Sequence, residues 1–204
     1  MSLVGRQAQG SDTLGQQVLP GKFHILNVGE RLVASYLRYI RKCDFIQKNL
    51  YTVDAHGEID VVGINLSEKR VYVCEVAIHL TTWLQYVKDK RPNNVNRLTE
   101  KFGRDIAYAR KYLPEYSHHF MLWSPIVKDS KGQVLYNQLG HLSQVHQSIL
   151  KSHGVDLDFV INERFAACIA KLRIHASKST QELQCPIMRM LQIEGLPRAT
   201  CLKA

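Results

Sequence analysis

The chain has 204 residues, 45% of them hydrophobic and 22% charged, which is enough for one sizeable core and an appended subdomain. No run approaches the roughly 18 apolar residues a membrane span needs. The first residues lack the basic start and apolar run of a secretory signal. A net charge of +9 favours anionic partners, nucleic acid first among them. The five cysteines are odd in number and form no C-x-x-C pair, which speaks against a disulfide framework or a structural zinc site and for a reducing, cytoplasmic setting.

Residues 1–25 are polar and Gly-rich, and read as a flexible N-terminal arm. The first helix is expected over "NVGERLVASYLRYIRK", with Val28, Leu32, Val33, Tyr36, Leu37 and Ile40 at helical spacing. Asn27 is its expected N-cap, and Glu30 stands three residues later, as in a capping box. "DFIQKNLYTV", "GEIDVVGIN" and "RVYVCEVAIHL" read as strands, the last two joined by the turn "LSEK". Glu58, Asp60 and Val62 share one face of their strand. Val71, Val73, Glu75, Ala77 and His79 share one face of theirs. A polar connection, "TTWLQYVKDKRPNN", leads to a long helix from about Val95 to Leu113, ended by Pro114. "HHFMLWSPIV" is the next strand. A helix beginning at Leu135 and stopped by Gly154 follows, then the strand "VDLDFVIN", a helix from Glu163, and a short helix with Pro186 in its first turn. The expected division is a core over 26–128 and a C-terminal helix-strand-helix extension over 129–204, packed on that core.

Two carboxylates stand out because acids are depleted in strands and Glu75 interrupts an apolar run. Asp60 and Glu75, on neighbouring strands, can share one divalent cation. Magnesium takes hard oxygen ligands and keeps several waters. It offsets charge on a phosphate and lowers the pKa of bound water.

The order α-β-β-β-α-β, with "GERLVASYL", "GEID" and "VCEVA", resembles the PD-(D/E)xK, restriction-endonuclease-like nuclease superfamily over roughly residues 28–127. The closest likeness is to the small Holliday-junction-resolvase-like bacterial nucleases. The resemblance implies an α/β fold, with a mixed sheet flanked by helices, and a DNA endonuclease that uses Mg2+ or Mn2+. Asp60 and Glu75 would be the metal ligands, with the backbone carbonyl of Val76 as a third. Glu30 would orient the attacking water or help hold the metal, a role compatible with its place in the capping box. Many members of the fold work as dimers, so a homodimer is an open expectation.

The motif lysine belongs at position 77, where this chain has alanine. Three readings follow. The cation comes from another element, His79 supplies proton transfer, or the site is inactive and the fold only binds nucleic acid or protein. The first is favoured, with Lys101 as the candidate. In the long helix Arg97, Lys101, Arg104, Tyr108 and Lys111 form one stripe, and Lys101 lies nearest the apolar border. A long stem there can run along the core surface and deliver its ammonium to the strand ends. The stripe is also the expected nucleic-acid surface, with eight Lys/Arg against three acids between Lys88 and Lys111.

Overall fold

The structure, a computed structural model, describes residues 27–55, 57–78 and 84–195. The N-terminal arm and His79 lie outside these residues. Helix α1 (Val28–Tyr39) is capped by Asn27, whose Oδ1 accepts from the N–H groups of Gly29 and Glu30 at 3.1 and 3.4 Å. Strands β1 (Phe45–Thr52), β2 (Gly57–Asn65) and β3 (Arg70–Val76) pair in sequence as an antiparallel meander. A two-residue ribbon of β4 (Val87–Lys88) and β5 (Arg91–Pro92) precedes α2 (Asn94–Tyr112). Strand β6 (Ser117–Ser124), α3 (Gln138–His153), β7 (Leu157–Ile161), α4 (Asn162–Lys178) and α5 (Pro186–Glu194) complete the chain.

The main sheet has five strands in the order β1-β2-β3-β6-β7. The β3–β6 and β6–β7 joints are parallel, so each needs a long crossover, and α2 and α3 supply them. Both helices cover the same sheet face. Leu98, Phe102, Ile106 and Ala109 of α2 pack with Leu142, Val145 and Ile149 of α3 on Val62, Val71, Val73 and Leu122. On the other face α1, α4 and α5 cover Val61, Tyr72, Cys74 and Trp123 through Leu37, Leu172 and Met188. The protein is thus α/β, with a five-stranded mixed sheet between helical layers. Among the described residues no helix is long and apolar enough to cross a membrane.

Three local features depart from the expected pattern. The connection before α2 contains the β4–β5 ribbon, whose turn residues Asp89 and Lys90 both have positive φ (50° and 62°) without a glycine or asparagine to announce them. Helix α3 starts at Gln138 rather than Leu135, because Asn137 takes an extended conformation and its side chain caps Gly140 N–H at 2.9 Å. In β2 the strict alternation breaks at Asp60, since Ile59 and Val62 share one core layer and Val61 lies in the other. The partner position on β1 is Asn49, at φ 52°. The β1–β2 ladder skips this pair, although Lys48↔Val61 and Leu50↔Ile59 flank it in register.

Candidate active site

The β2–β3 ladder ends at Val61↔Cys74. Continuing that register by one residue sets Asp60 opposite Glu75. With the ladder open there, the Val76 N–H is free to bond a side chain, and it donates to Asp60 Oδ2 at 2.7 Å. This contact fixes one carboxylate oxygen and leaves Oδ1 facing α2. Glu75 is 1% exposed, on the same strand face as Val71 and Val73.

Lys101 closes the arrangement. Its Nζ pairs with Glu75 Oε2 and lies 3.7 Å from Asp60 Oδ1. The stem crosses the apolar border of α2, and the side chain is 13% exposed. Position 77, where the resemblance would place a lysine, is occupied differently: Ala77 is 1% exposed within the α2-facing core, and its N–H donates to Trp123 O at 2.8 Å.

Two further carboxyls join this pair. Glu30 is buried at the start of α1, bonded to the Asn27 and Asn49 amides. Gly29 lets the helix start sit against β3, since a Cβ there would meet Ile78 at 3.0 Å. Burial first, then the charges of Asp60 and Glu58, raise the Glu30 carboxyl above its ordinary range. Glu58 itself points to solvent. The second addition, Asp105, is fully buried and interacts electrostatically with Glu75. Burial raises both carboxyls, with the Asp60 charge next in importance for Glu75. Asp105 adds to the rise at Glu75, while Glu75, Arg104 and Lys101 hold Asp105 down against its burial. Despite burial, Glu75 and Asp60 raise the ammonium of Lys101, so it stays charged. Tyr86 is the remaining neighbour, with its phenol raised by burial.

Asp105 was invisible as a site residue among the basic residues of α2, yet its place carries a signal. It stands seven residues after Leu98, three after Phe102 and four before Ala109, in the middle of the apolar stripe. Burying Leu98, Phe102 and Ile106 gains about 1.5–3 kcal/mol each, an upper estimate. That sum is comparable with the several kcal/mol per ion that buried charges cost, so α2 can dock while carrying both Asp105 and Lys101.

Arg104 braces Asp105. Its Nε and Nη2 donate to Asp105 Oδ1 at 3.3 and 3.2 Å, and Nη2 also donates to Glu58 O at 2.9 Å. The guanidinium lies directly over Gly57, where a Cβ would sit 2.2–2.4 Å from it. The glycine of "GEID" is therefore the floor of this brace. Gly57→Ala is expected to push Arg104 off Glu58 and Asp105 and to lower unfolding free energy by about 1–3 kcal/mol. Urea denaturation measures this, and an unchanged midpoint would show that the guanidinium relocates freely.

The rest of the basic stripe is largely committed within the chain. Lys111 Nζ bonds Asp54 at 2.7 Å, Tyr108 packs on Tyr112 with ring centroids 4.7 Å apart, and Arg110, beside the stripe, donates to His153 O at 2.7 Å. Arg97 remains exposed. His118 and His119 do not form a metal site, and Cys43, Cys74 and Cys168 are buried free thiols.

Among the described residues no three His, Cys, Asp or Glu side chains form a ready metal cage. The donor set nevertheless suits magnesium, which needs few protein ligands when water supplies the others. Asp60 and Glu75 are hard oxygen donors, and buried Glu75 Oε1 has no hydrogen-bond partner. Asp60, Glu75 and Asp105 interact with the single Lys101 ammonium, which leaves room for added positive charge. In comparisons with known proteins, no family model, curated protein or solved structure matches the chain.

Proposed function

We propose that the protein is a metal-dependent endonuclease that hydrolyses DNA phosphodiester bonds, built on a restriction-endonuclease-like core. The observation that carries this reading is the Lys101 ammonium, brought from a separate helix to the Asp60 and Glu75 carboxylates at the open end of a hairpin. A purely structural ion pair gives no reason for burying further carboxyls beside it. Each such charge costs stability, and groups perturbed in this way cluster where chemistry is done.

Asp60 and Glu75 would hold Mg2+ or Mn2+, with the Val76 carbonyl as the further donor. Bound there, the ion would polarise the phosphate and supply a nucleophilic water at neutral pH. Asp60 is oriented for its part by the Val76 N–H. Lys101 offers N–H donors to a phosphate oxygen and stabilises charge as it develops. Glu30, held by two asparagine amides, accepts a proton or orients the attacking water.

The test is cleavage of plasmid and branched DNA with magnesium or manganese. Wild type is expected to cut, and Asp60→Ala to lose at least about 10²-fold in rate. Equal rates for the two proteins would sink the enzyme reading. Salt-sensitive DNA binding with no cleavage by wild type would favour an inactive binding module, a reading consistent with the Lys101–Glu75 ion pair.

A further inference from the structure

A second cationic site lies away from α2. Arg31 and Arg38 of α1 and Lys48 of β1 line a groove of about 260 Å³, closed on one side by Cys185 and Pro186 at the start of α5. No acidic side chain lines it. Among the described residues the side chains of Arg31 and Lys48 have no hydrogen-bond or ion-pair partner, and the Arg38 guanidinium donates only to the Asp44 carbonyl, at 3.2 Å. This contrasts with α2, where Lys101, Arg104, Arg110 and Lys111 all have partners within the chain. Three cations held together without a counter-charge repel one another, and a bound polyanion relieves that cost.

The groove lies on the sheet face covered by α1 and α5, opposite the α2 face, and reaches the candidate active site through the Glu30 end of α1. Glu30 and Arg31 are consecutive on α1, and Asn49 and Lys48 are consecutive on β1. The groove therefore begins one residue away from the Glu30–Asn49 hydrogen bond on both elements. The opening N–H groups of α5 add partial positive charge on its far side. We propose that this groove, rather than the α2 stripe, holds the phosphate backbone flanking the cleaved bond. The identity of the polyanion as DNA rests on the nuclease reading above.

Two properties follow from the geometry. Removing two phosphate contacts should flatten the salt dependence of binding, since each contact contributes about 0.9 to the slope of log K against log salt. DNA should also shield Cys185, the only cysteine among the described residues that is not buried, whose Sγ lies 3.2 Å from Ser35 Oγ.

The experiment measures binding of the full chain to a short duplex in EDTA across a salt series. Arg31→Ala/Lys48→Ala is compared with Lys131→Ala/Lys151→Ala, which removes the same charge elsewhere. The groove variant is expected to bind about tenfold or more weakly at low salt, with a slope reduced by about 2, and the control to stay near wild type. Arg31→Gln/Lys48→Gln repeats the test if the alanine variant does not fold. In parallel, duplex DNA should slow iodoacetamide labelling of Cys185, read by peptide mass spectrometry. Wild-type affinity and slope in the groove variant, or an equal loss in the control, would overturn the proposal. If wild type cuts DNA and the groove variant binds normally, the groove fails alone. If binding depends on the groove but no cleavage occurs with magnesium or manganese, the nuclease reading fails alone. Absence of any DNA binding overturns both.

Discussion

Lys101→Met is expected to slow DNA cleavage by about 10²–10³-fold, the range seen when one charge-stabilising donor is removed. Methionine keeps most of the apolar stem, so the loss reports the ammonium. The effect belongs in the cleavage step rather than in binding, because Lys101 is 13% exposed and faces Asp60 and Glu75 instead of the outer surface. Duplex affinity in EDTA should therefore change by less than about threefold. Removing the ammonium also leaves Asp60, Glu75 and Asp105 with less compensation, which costs stability unless Glu75 takes up a proton. Single-turnover cleavage measured beside a thermal melt separates these effects. A well-folded Lys101→Met protein that cuts at the wild-type rate would remove Lys101 from the mechanism.

Glu75→Gln is expected to abolish cleavage and stabilise the fold. The Glu75 carboxyl is raised by burial and then by Asp60, more than Lys101 lowers it, so its charge opposes folding at neutral pH. Glu30 and Asp105 are raised as well, both chiefly by burial. For such groups the contribution to stability is complete below the ordinary carboxylate pKa of about 4. It is lost as pH rises through the raised values. Stability should thus decline from mildly acidic toward alkaline pH, and Glu75→Gln should flatten that decline. Each 1 kcal/mol regained at pH 8 raises the melting temperature by about 2–4 °C for a chain of this size. A variant that melts below wild type at pH 8 would mean that the Lys101 pair outweighs the burial of Glu75. Gain of stability with loss of activity is the behaviour expected of a site maintained at the expense of the fold.

The sequence carries much of this arrangement where one local rule operates alone. Gly154 stops α3 in the left-handed conformation at φ 65°, and Pro186 opens α5. The strand faces of β3 follow simple alternation, which puts Glu75 on the α2 side with Val71 and Val73. Lys101 was recognisable from its angle at the edge of an apolar stripe. The ribbon before α2 was not legible, because Asp89 and Lys90 take positive φ without the usual residues. The same holds for β2, where the irregularity at Asn49 and Asp60 comes from pairing across strands rather than from either stretch by itself. Asp105 was hidden by context: an acid within a basic helix reads as a surface counter-charge until the partner that buries it is known. The free cations of the α1–β1 groove were hidden for the same reason. Which lysines and arginines stay unpaired is decided by tertiary contacts with Asp54, Asp105 and backbone carbonyls.

Delivering the ammonium from α2 changes what sets its distance from the acids. On a single strand, a glutamate and a lysine two residues apart would have their Cα atoms held about 6.6 Å apart by covalent geometry alone. Here residues 76–100 intervene, and the spacing is set by how Phe102 and Ile106 seat on the sheet. The tolerance of the Lys101–Asp60–Glu75 geometry is thereby transferred from bond lengths to side-chain volumes. A methylene added or removed beneath α2 becomes a change in the distance from ammonium to carboxylate, even where it touches none of the charged groups.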